Sequence, residues 1–246
     1  CNMATEFSAM TGMIAPDEKT FAFLEGRRHA PKGASWETAV AHWRTLVTDD
    51  GARFDRELTV AADELVPMVT WGTSPQHAAP ISGCVPDQAA SGTSPEAYER
   101  ALAYMGLEPG QAMQSLAIGA AFIGSCTNSR ISDLRRAAAV LRGRRVAAGV
   151  RAICVPGSMA VKRQAESEGL DRVFLDAGFE WRESGCSMCF YAGGESFGPR
   201  QRVVSSTNRN FESRQGPETR THLASPETVA ASAIAGRLAD LRRLAS

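Results

Sequence analysis

Apolar positions recur at one spacing in the first half of this chain and at two alternating spacings after about residue 118. Trp36, Ala39, Val40, Trp43, Leu46 and Val47 stand at helical intervals, the stripe that a surface helix turns toward its core. Ser35 reads as the cap of that helix and Thr48-Asp49-Asp50-Gly51 as its stop. Residues 57–67 (ELTVAADELVP) have β-type composition and lead into a second domain. Between Ser74 and Pro95 the chain is rich in Pro, Ser and Gly, which predicts a long functional or connecting loop.

Beyond Ile118, short apolar runs alternate with amphipathic stripes. AIGAAFIG predicts a buried strand, followed by a helix with Ile131, Leu134, Ala138 and Leu141 on one face and Gly143 past its end. RAICVPG predicts a second strand, and SMAVKRQAESEG a second helix that stops at Gly169. RVFLDAGFEW and RVVSSTN read as third and fourth strands. Ser225-Pro226 opens a last helix with Ala230, Ile234, Leu238 and Leu241 inward. Alternation of this kind predicts an α/β fold, a mostly parallel sheet covered by helices. In such sheets ligands collect at the carboxyl ends of the strands, where Cys126, Cys154 and Asn208 fall.

Composition narrows the function classes. Of 246 residues, 43% are apolar and 22% charged, which suffices for a sizeable core. Lys plus Arg equals Asp plus Glu at 27 each, so nothing in the charge balance attracts nucleic acid or an anionic membrane. The six cysteines are too few over this length for a disulfide-stapled scaffold. With no secretion signal in view, reduced thiols and a cytoplasmic location are the expectation.

Chemistry concentrates in three places. Cys126 follows a strand in Gly-Ser-Cys-Thr-Asn-Ser, and Cys186 and Cys189 form Gly-Cys-Ser-Met-Cys after another. Three soft thiolates suit iron–sulfur or zinc, and a lone Cys-x-x-Cys is also compatible with dithiol redox chemistry. Ser206-Thr207-Asn208-Arg209-Asn210-Phe211-Glu212-Ser213-Arg214 carries two arginines five apart, able to hold carboxylates or to sit in a solvated loop with Arg209 against Glu212. Asn2 and Glu6, four apart, share a face on a helix. Cys1 at the chain start leaves room for an N-terminal nucleophile. The histidines, His29, His42, His77 and His222, read as structural, with His222 in a polar loop.

Taken together, CNMATE, TWGTSP, FIGSCTNSR, GFEWRESGCSMC, SSTNRNFESRQG and RTHLASPE resemble the aconitase superfamily. The likeness runs through nearly the whole chain, and is closest to the C-terminal half of large subunits in the isopropylmalate dehydratase branch. It implies an iron–sulfur hydro-lyase that isomerises a 2-hydroxy di- or tricarboxylate, in leucine biosynthesis if the substrate is isopropylmalate. It implies a three-layer α/β/α domain over 61–246, preceded at 1–60 by the tail of a second α/β domain. By the same likeness Cys126, Cys186 and Cys189 ligate a 4Fe–4S cluster with one open iron. Asn2 and Asn208 lie near it, Glu6 meets the iron-bound hydroxyl, and Arg209 and Arg214 hold substrate carboxylates. The partners implied are a small subunit and an upstream part of the large subunit. The chain departs from that pattern after Cys189, where Phe190-Tyr191-Ala192-Gly193 replaces a Leu-Ala-Met-Asn-like run, at Met159-Ala160 in place of Gly-Pro, and at Ser213, where Gly is common. These departures leave room for a paralogue acting on a methylmalate- or citrate-like acid, or for a non-catalytic remnant.

Overall fold

The structure, a computed structural model, describes residues 1, 4, 8–124, 126–191 and 194–244. They divide into two compact units, Cys1–Glu64 and Leu65–Ser246.

In the first unit α1 (Glu18–Leu24) starts at Asp17, whose carboxylate accepts the Thr20 N–H at 2.9 Å. α2 spans Ala34–Trp43. Its cap is Gly33 rather than Ser35, and it ends before Leu46 and Val47, which are exposed. What holds the unit is an aromatic cluster: Phe21, buried, stacks on Trp43 with centroids 6.1 Å apart, and Trp36 meets Trp43 edge-on at 5.6 Å.

The second unit opens differently from expectation. Residues 57–67 form no strand; they contain one 3-10 turn, Ala62–Glu64. The Pro/Ser/Gly-rich stretch hides a strand, because β1 (Met68–Thr70) pairs antiparallel with β2 (Ala78–Pro80). Ala79, Ile81 and Val85 are buried at alternate positions that Pro and Gly obscure in the sequence. α3 (Pro95–Met105) follows, capped by the Ser94 hydroxyl and closed by Gly106 in the left-handed region.

A five-stranded parallel sheet then builds in the order β5-β4-β3-β6-β7. Its strands are β3 (Ala120–Ile123), β4 (Arg151–Cys154), β5 (Phe179–Trp181), β6 (Arg202–Ser205) and β7 (Arg220–Leu223). The helices are α4 (Ile131–Leu141), α5 (Met159–Ser167), α6 (Leu170–Ala177) and α7 (Pro226–Ala235). The α/β class and the parallel sheet are thus present, with α4, α6 and α7 covering one face. Two segments differ from the pattern reading. Residues 172–181 are helix, then strand: Leu170, Phe174 and Ala177 are buried at helical spacing, and Gly178 in the left-handed region ends α6 before β5 starts. β7 is the strand the pattern conceals. It has only four residues, and Arg220, Thr221 and His222 look like loop until they pair with Arg202, Val203 and Val204. The last helix stops at Ala235, so Leu238, although buried, lies beyond it.

Strand alternation sorts the side chains onto two faces. Ala121, Ile123, Ala152, Cys154 and Val204 pack with α4, α6 and α7. Ala120, Phe122, Ile153, Val155 and Val203 instead meet Met188 and Phe197, which come from the segment after β5.

β7 is tied to β1 through His222, which is fully buried. Its Nδ1 donates to the Thr70 carbonyl at 2.6 Å, and its Nε2 accepts from Arg202 Nη1 at 2.8 Å, so the ring is neutral. Burial first, and then the Arg202 charge, hold its pKa down to about 3. Burial also draws Arg202 down to about 10, with Arg220 beside it as the second cause. Both guanidinium groups face the C-terminal end of α3, where they donate to the carbonyls of Met105 (3.0 Å) and Tyr104 (2.8 Å). Cations are favoured there by the helix dipole. A histidine that titrates near 6.5 when unfolded and near 3 when folded binds fewer protons in the native state across that window. Its contribution is complete above about pH 6.5 and is lost toward pH 3, by at most about 1.4 kcal/mol per pH unit. Urea unfolding between pH 7 and pH 4 is expected to give a shallower loss of stability for His222→Gln than for the parent; equal slopes would contradict this.

Candidate metal centre

Three loops rise from the carboxyl ends of the strands, and one of them grips the other two. The gripping loop is residues 206–216, between β6 and β7.

The first contact is to the Cys126 loop. Gly124 leaves β3 with its backbone against the Phe122 ring, where an added Cβ would lie 2.3 Å from a ring carbon, so no larger residue fits. Ser206, fully buried, accepts the Gly124 N–H at 3.0 Å, and its hydroxyl lies 3.2 Å from the carbonyls of both Gly124 and Asn128. Asn128 answers by donating to the Ser206 carbonyl at 2.8 Å. Cys126 itself is exposed.

The second contact is to the Cys186–Cys189 turn. Residues Ser187–Cys189 form one turn of 3-10 helix with Ser187 in the left-handed region (φ 42°), a conformation that non-glycine residues hold only when the surroundings enforce it. The enforcement comes from three directions. Met188 is a buried plug on the sheet face. Gln215, also fully buried, donates through Nε2 to the Met188 carbonyl at 2.6 Å, while its Oε1 accepts from Thr221 Oγ1 at 3.0 Å. Arg214 Nε donates to the Cys189 carbonyl at 2.7 Å, and its Nη2 lies 3.8 Å from Cys189 Sγ. Cys186 is exposed and Cys189 partly so, and both are free thiols.

The gripping loop is fixed in its turn. Asn210, buried, donates to the Gly72 carbonyl (2.6 Å) and to Thr70 Oγ1 (3.1 Å) in the β1–β2 hairpin. Gly216 closes the loop at φ 140°, where a Cβ would lie 2.6 Å from Ser196 Cβ. Ser213 holds φ 63° and receives the Glu218 N–H on its hydroxyl at 3.1 Å. Farther out, Glu195 binds Arg182 and Arg151, which also bind Glu180. This exposed network pins the distal end of the cysteine segment to β4 and β5, at well under a kcal/mol per pair.

Of the residues expected from the sequence, Arg214 sits against Cys189, Asn208 is half-buried at the β6 exit, and Arg209 on the same loop is exposed. Glu212 takes a bidentate pair from Arg100 (2.8 and 3.1 Å). Asn2 and Glu6 lie outside the described residues. Cys154 ends β4 but faces the helices, fully buried, and burial pushes its thiol well up. His222 belongs to β7 and not to a loop. Lys162 is spent on Glu166 (2.6 Å) and Glu183 (3.0 Å). Sequence reasoning missed Ser206 and Gln215. They look like filler polar residues, and only their buried partners reveal the roles.

Among the described residues no three of His, Cys, Asp and Glu approach closely enough to share one metal ion. A four-iron cube spreads its thiolates farther apart than a single ion does. The donor set, three free thiols on loops at one end of one sheet, has the soft chemistry such a cube takes.

This α/β scaffold with its three cysteine-bearing positions belongs to the aconitase family, whose model (aconitate hydratase) matches residues 1–236. A more particular likeness follows. The chain is 68% identical over 245 residues to a 3-isopropylmalate dehydratase large subunit from Cupriavidus necator, covering 99% of this chain and 92% of that protein. It is 55% identical to 3-isopropylmalate dehydratase large subunit 1 of Bradyrhizobium diazoefficiens, again over 99% of this chain but 52% of that protein, about half its length. No described helix is long and apolar enough to cross a membrane.

Replacing Gln215 by Leu removes the donor to the Met188 carbonyl and leaves Thr221 without its acceptor. A buried group stripped of its partner costs roughly 1–3 kcal/mol. Chemical denaturation of Gln215→Leu is expected to show a loss in that range, together with faster alkylation of Cys189 by a thiol reagent. Unchanged alkylation would separate Gln215 from the cysteine turn.

Proposed function

We propose that this chain is the cluster-bearing part of an iron–sulfur hydro-lyase, a 3-isopropylmalate dehydratase, that moves a hydroxyl between neighbouring carbons of a 2-hydroxy dicarboxylate. The observation that carries the reading is the 206–216 loop, which anchors the Cys126 loop through Ser206 and the Cys186–Cys189 turn through Arg214 and Gln215. It is supported by the family match and by the names of both relatives.

In this reading Cys126, Cys186 and Cys189 hold a 4Fe–4S cluster. Such a cluster with one open iron supplies a Lewis acid for the departure and return of hydroxide. The chain's own residues do the rest. Arg209 and Arg214 fix the two carboxylates of a dianionic substrate, which sets the carbon that loses its proton opposite the one that loses its hydroxyl. Asn2 and Asn208 lie near the cluster, and Glu6 hydrogen-bonds the substrate hydroxyl. Cys189, held from its carbonyl by Arg214, keeps its sulfur beside the carboxylate anchor. Residues 1–60 serve as the tail of a second α/β domain. The name "large subunit" on both relatives implies a small subunit as partner, and the remaining acid–base groups belong to the other chain segments of that assembly, in the cytoplasm.

Anaerobic reconstitution with iron and sulfide is the test. Iron and acid-labile sulfide in about equal amounts are expected in the parent and in Cys84→Ser, whose thiol lies outside the three loops, and are expected to be lost in Cys186→Ser. Isomerase turnover is expected only when the co-purifying subunits are present. One zinc with no sulfide would overturn the reading, and rapid turnover by the isolated chain would overturn the division of the site between chains.

A further inference from the structure

Arg214 differs from the second-unit arginines that hold carboxylates. Arg100, Arg135, Arg136, Arg151, Arg182, Arg200 and Arg242 each hold a carboxylate. Arg214, half-buried, pairs with none among the described residues. What surrounds it is aromatic. Its guanidinium carbon lies over the ring of Phe190 at 4.9 Å and over that of Phe211 at 5.0 Å. Both rings are about half exposed (47%), so neither is there to fill a core.

The fork is also partly committed. Nε points at the Cys189 carbonyl and one Nη2 hydrogen at Cys189 Sγ. The Nη1–Nη2 end is what remains, and it offers two parallel N–H groups, the geometry that a carboxylate takes. Ring faces attract the cation and keep water off it. They also remove rotamer freedom that binding would otherwise have to remove. Phe211 lies on the gripping loop. Phe190 follows Cys189 directly.

We propose that Phe190 is a positioning residue: with Phe211 it holds the Arg214 guanidinium so that its free edge is preset for a substrate carboxylate. The inference deepens the hydro-lyase reading and rests on it. The preset fork meets the same carboxylate before and during the reaction, so its loss acts on binding and leaves the chemical step unchanged.

The experiment uses the reconstituted chain with its co-purifying subunits. It reads the steady-state isomerisation of 3-isopropylmalate, and the calorimetric Kd of malate as a simple 2-hydroxy dicarboxylate. For Phe190→Ala both KM and Kd are expected to rise about three- to thirty-fold, the range that losing a cation–π contact of this kind gives. kcat is expected to stay within about two-fold, and Phe190→Tyr to restore both constants. Phe190→Leu, which keeps the apolar bulk, is the second variant should the alanine variant misfold, and is expected to shift KM in the same direction. Unchanged KM and Kd, or a fall in kcat at constant KM, would overturn the positioning role while leaving the hydro-lyase reading intact. A parent assembly that loads a cluster yet neither binds malate nor turns over isopropylmalate would overturn both.

Discussion

The turn that carries two thiols meets only its Cys186 carbonyl from within, through the Cys189 N–H at 2.8 Å. The rest of the site follows from how the Met188 and Cys189 carbonyls are met from outside. The Cys186–Cys189 turn has no strand neighbour to take its backbone groups, and it lies over an apolar sheet face where an unmet carbonyl is costly. Two adjacent residues answer it. Gln215 takes the Met188 carbonyl and Arg214 the Cys189 carbonyl. Because both belong to the connection between β6 and β7, the position of the thiols is inherited from the sheet. Ser206, at the other end of the same connection, does for the Cys126 loop what Gln215 does for this turn.

The connection can bear this duty because it is itself tied down. Asn210 reaches the β1–β2 hairpin, and His222 on the next strand reaches Thr70 in the same hairpin. The Pro-rich segment after residue 74 therefore acts as a buttress. Its buried Ile81 and Val85 dock it to the main core, while the Gly72 and Thr70 carbonyls just before it receive Asn210 and His222. Function at the strand ends is supported by packing at the hairpin, a division common in parallel α/β sheets.

Much of this was readable from the chain alone. The strand–helix alternation, the start of the last helix at Ser225-Pro226, and the three thiol positions at strand exits follow from periodicity and motif. The errors share one physical cause, namely that short elements are decided by partners and not by propensity. β7 is four residues of which three are charged or polar, and it is a strand because β6 offers it a ladder. His222 looked solvated and is buried because Arg202 and the Thr70 carbonyl bracket it. Residues 172–177 looked like strand because Val173-Phe174-Leu175 is apolar, yet only the i, i+4, i+7 set from Leu170 is buried. Ser206 and Gln215 were invisible for the same reason, since a hydroxyl or an amide gains its meaning from the group it meets.

One feature of the sheet carries a cellular consequence. The helices α4, α6 and α7 cover one face, whereas Phe122, Ile153 and Val203 on the other are covered by Met188 and Phe197, from the segment that bears the thiols. The plug Met188 stands between the two thiols in one turn of 3-10 helix. A chain whose thiol turn has come unseated therefore displays aromatic and aliphatic strand surface, the signature that chaperones and proteases recognise. Quality control can thus distinguish a sound site from a damaged one without any contact with the chemistry itself.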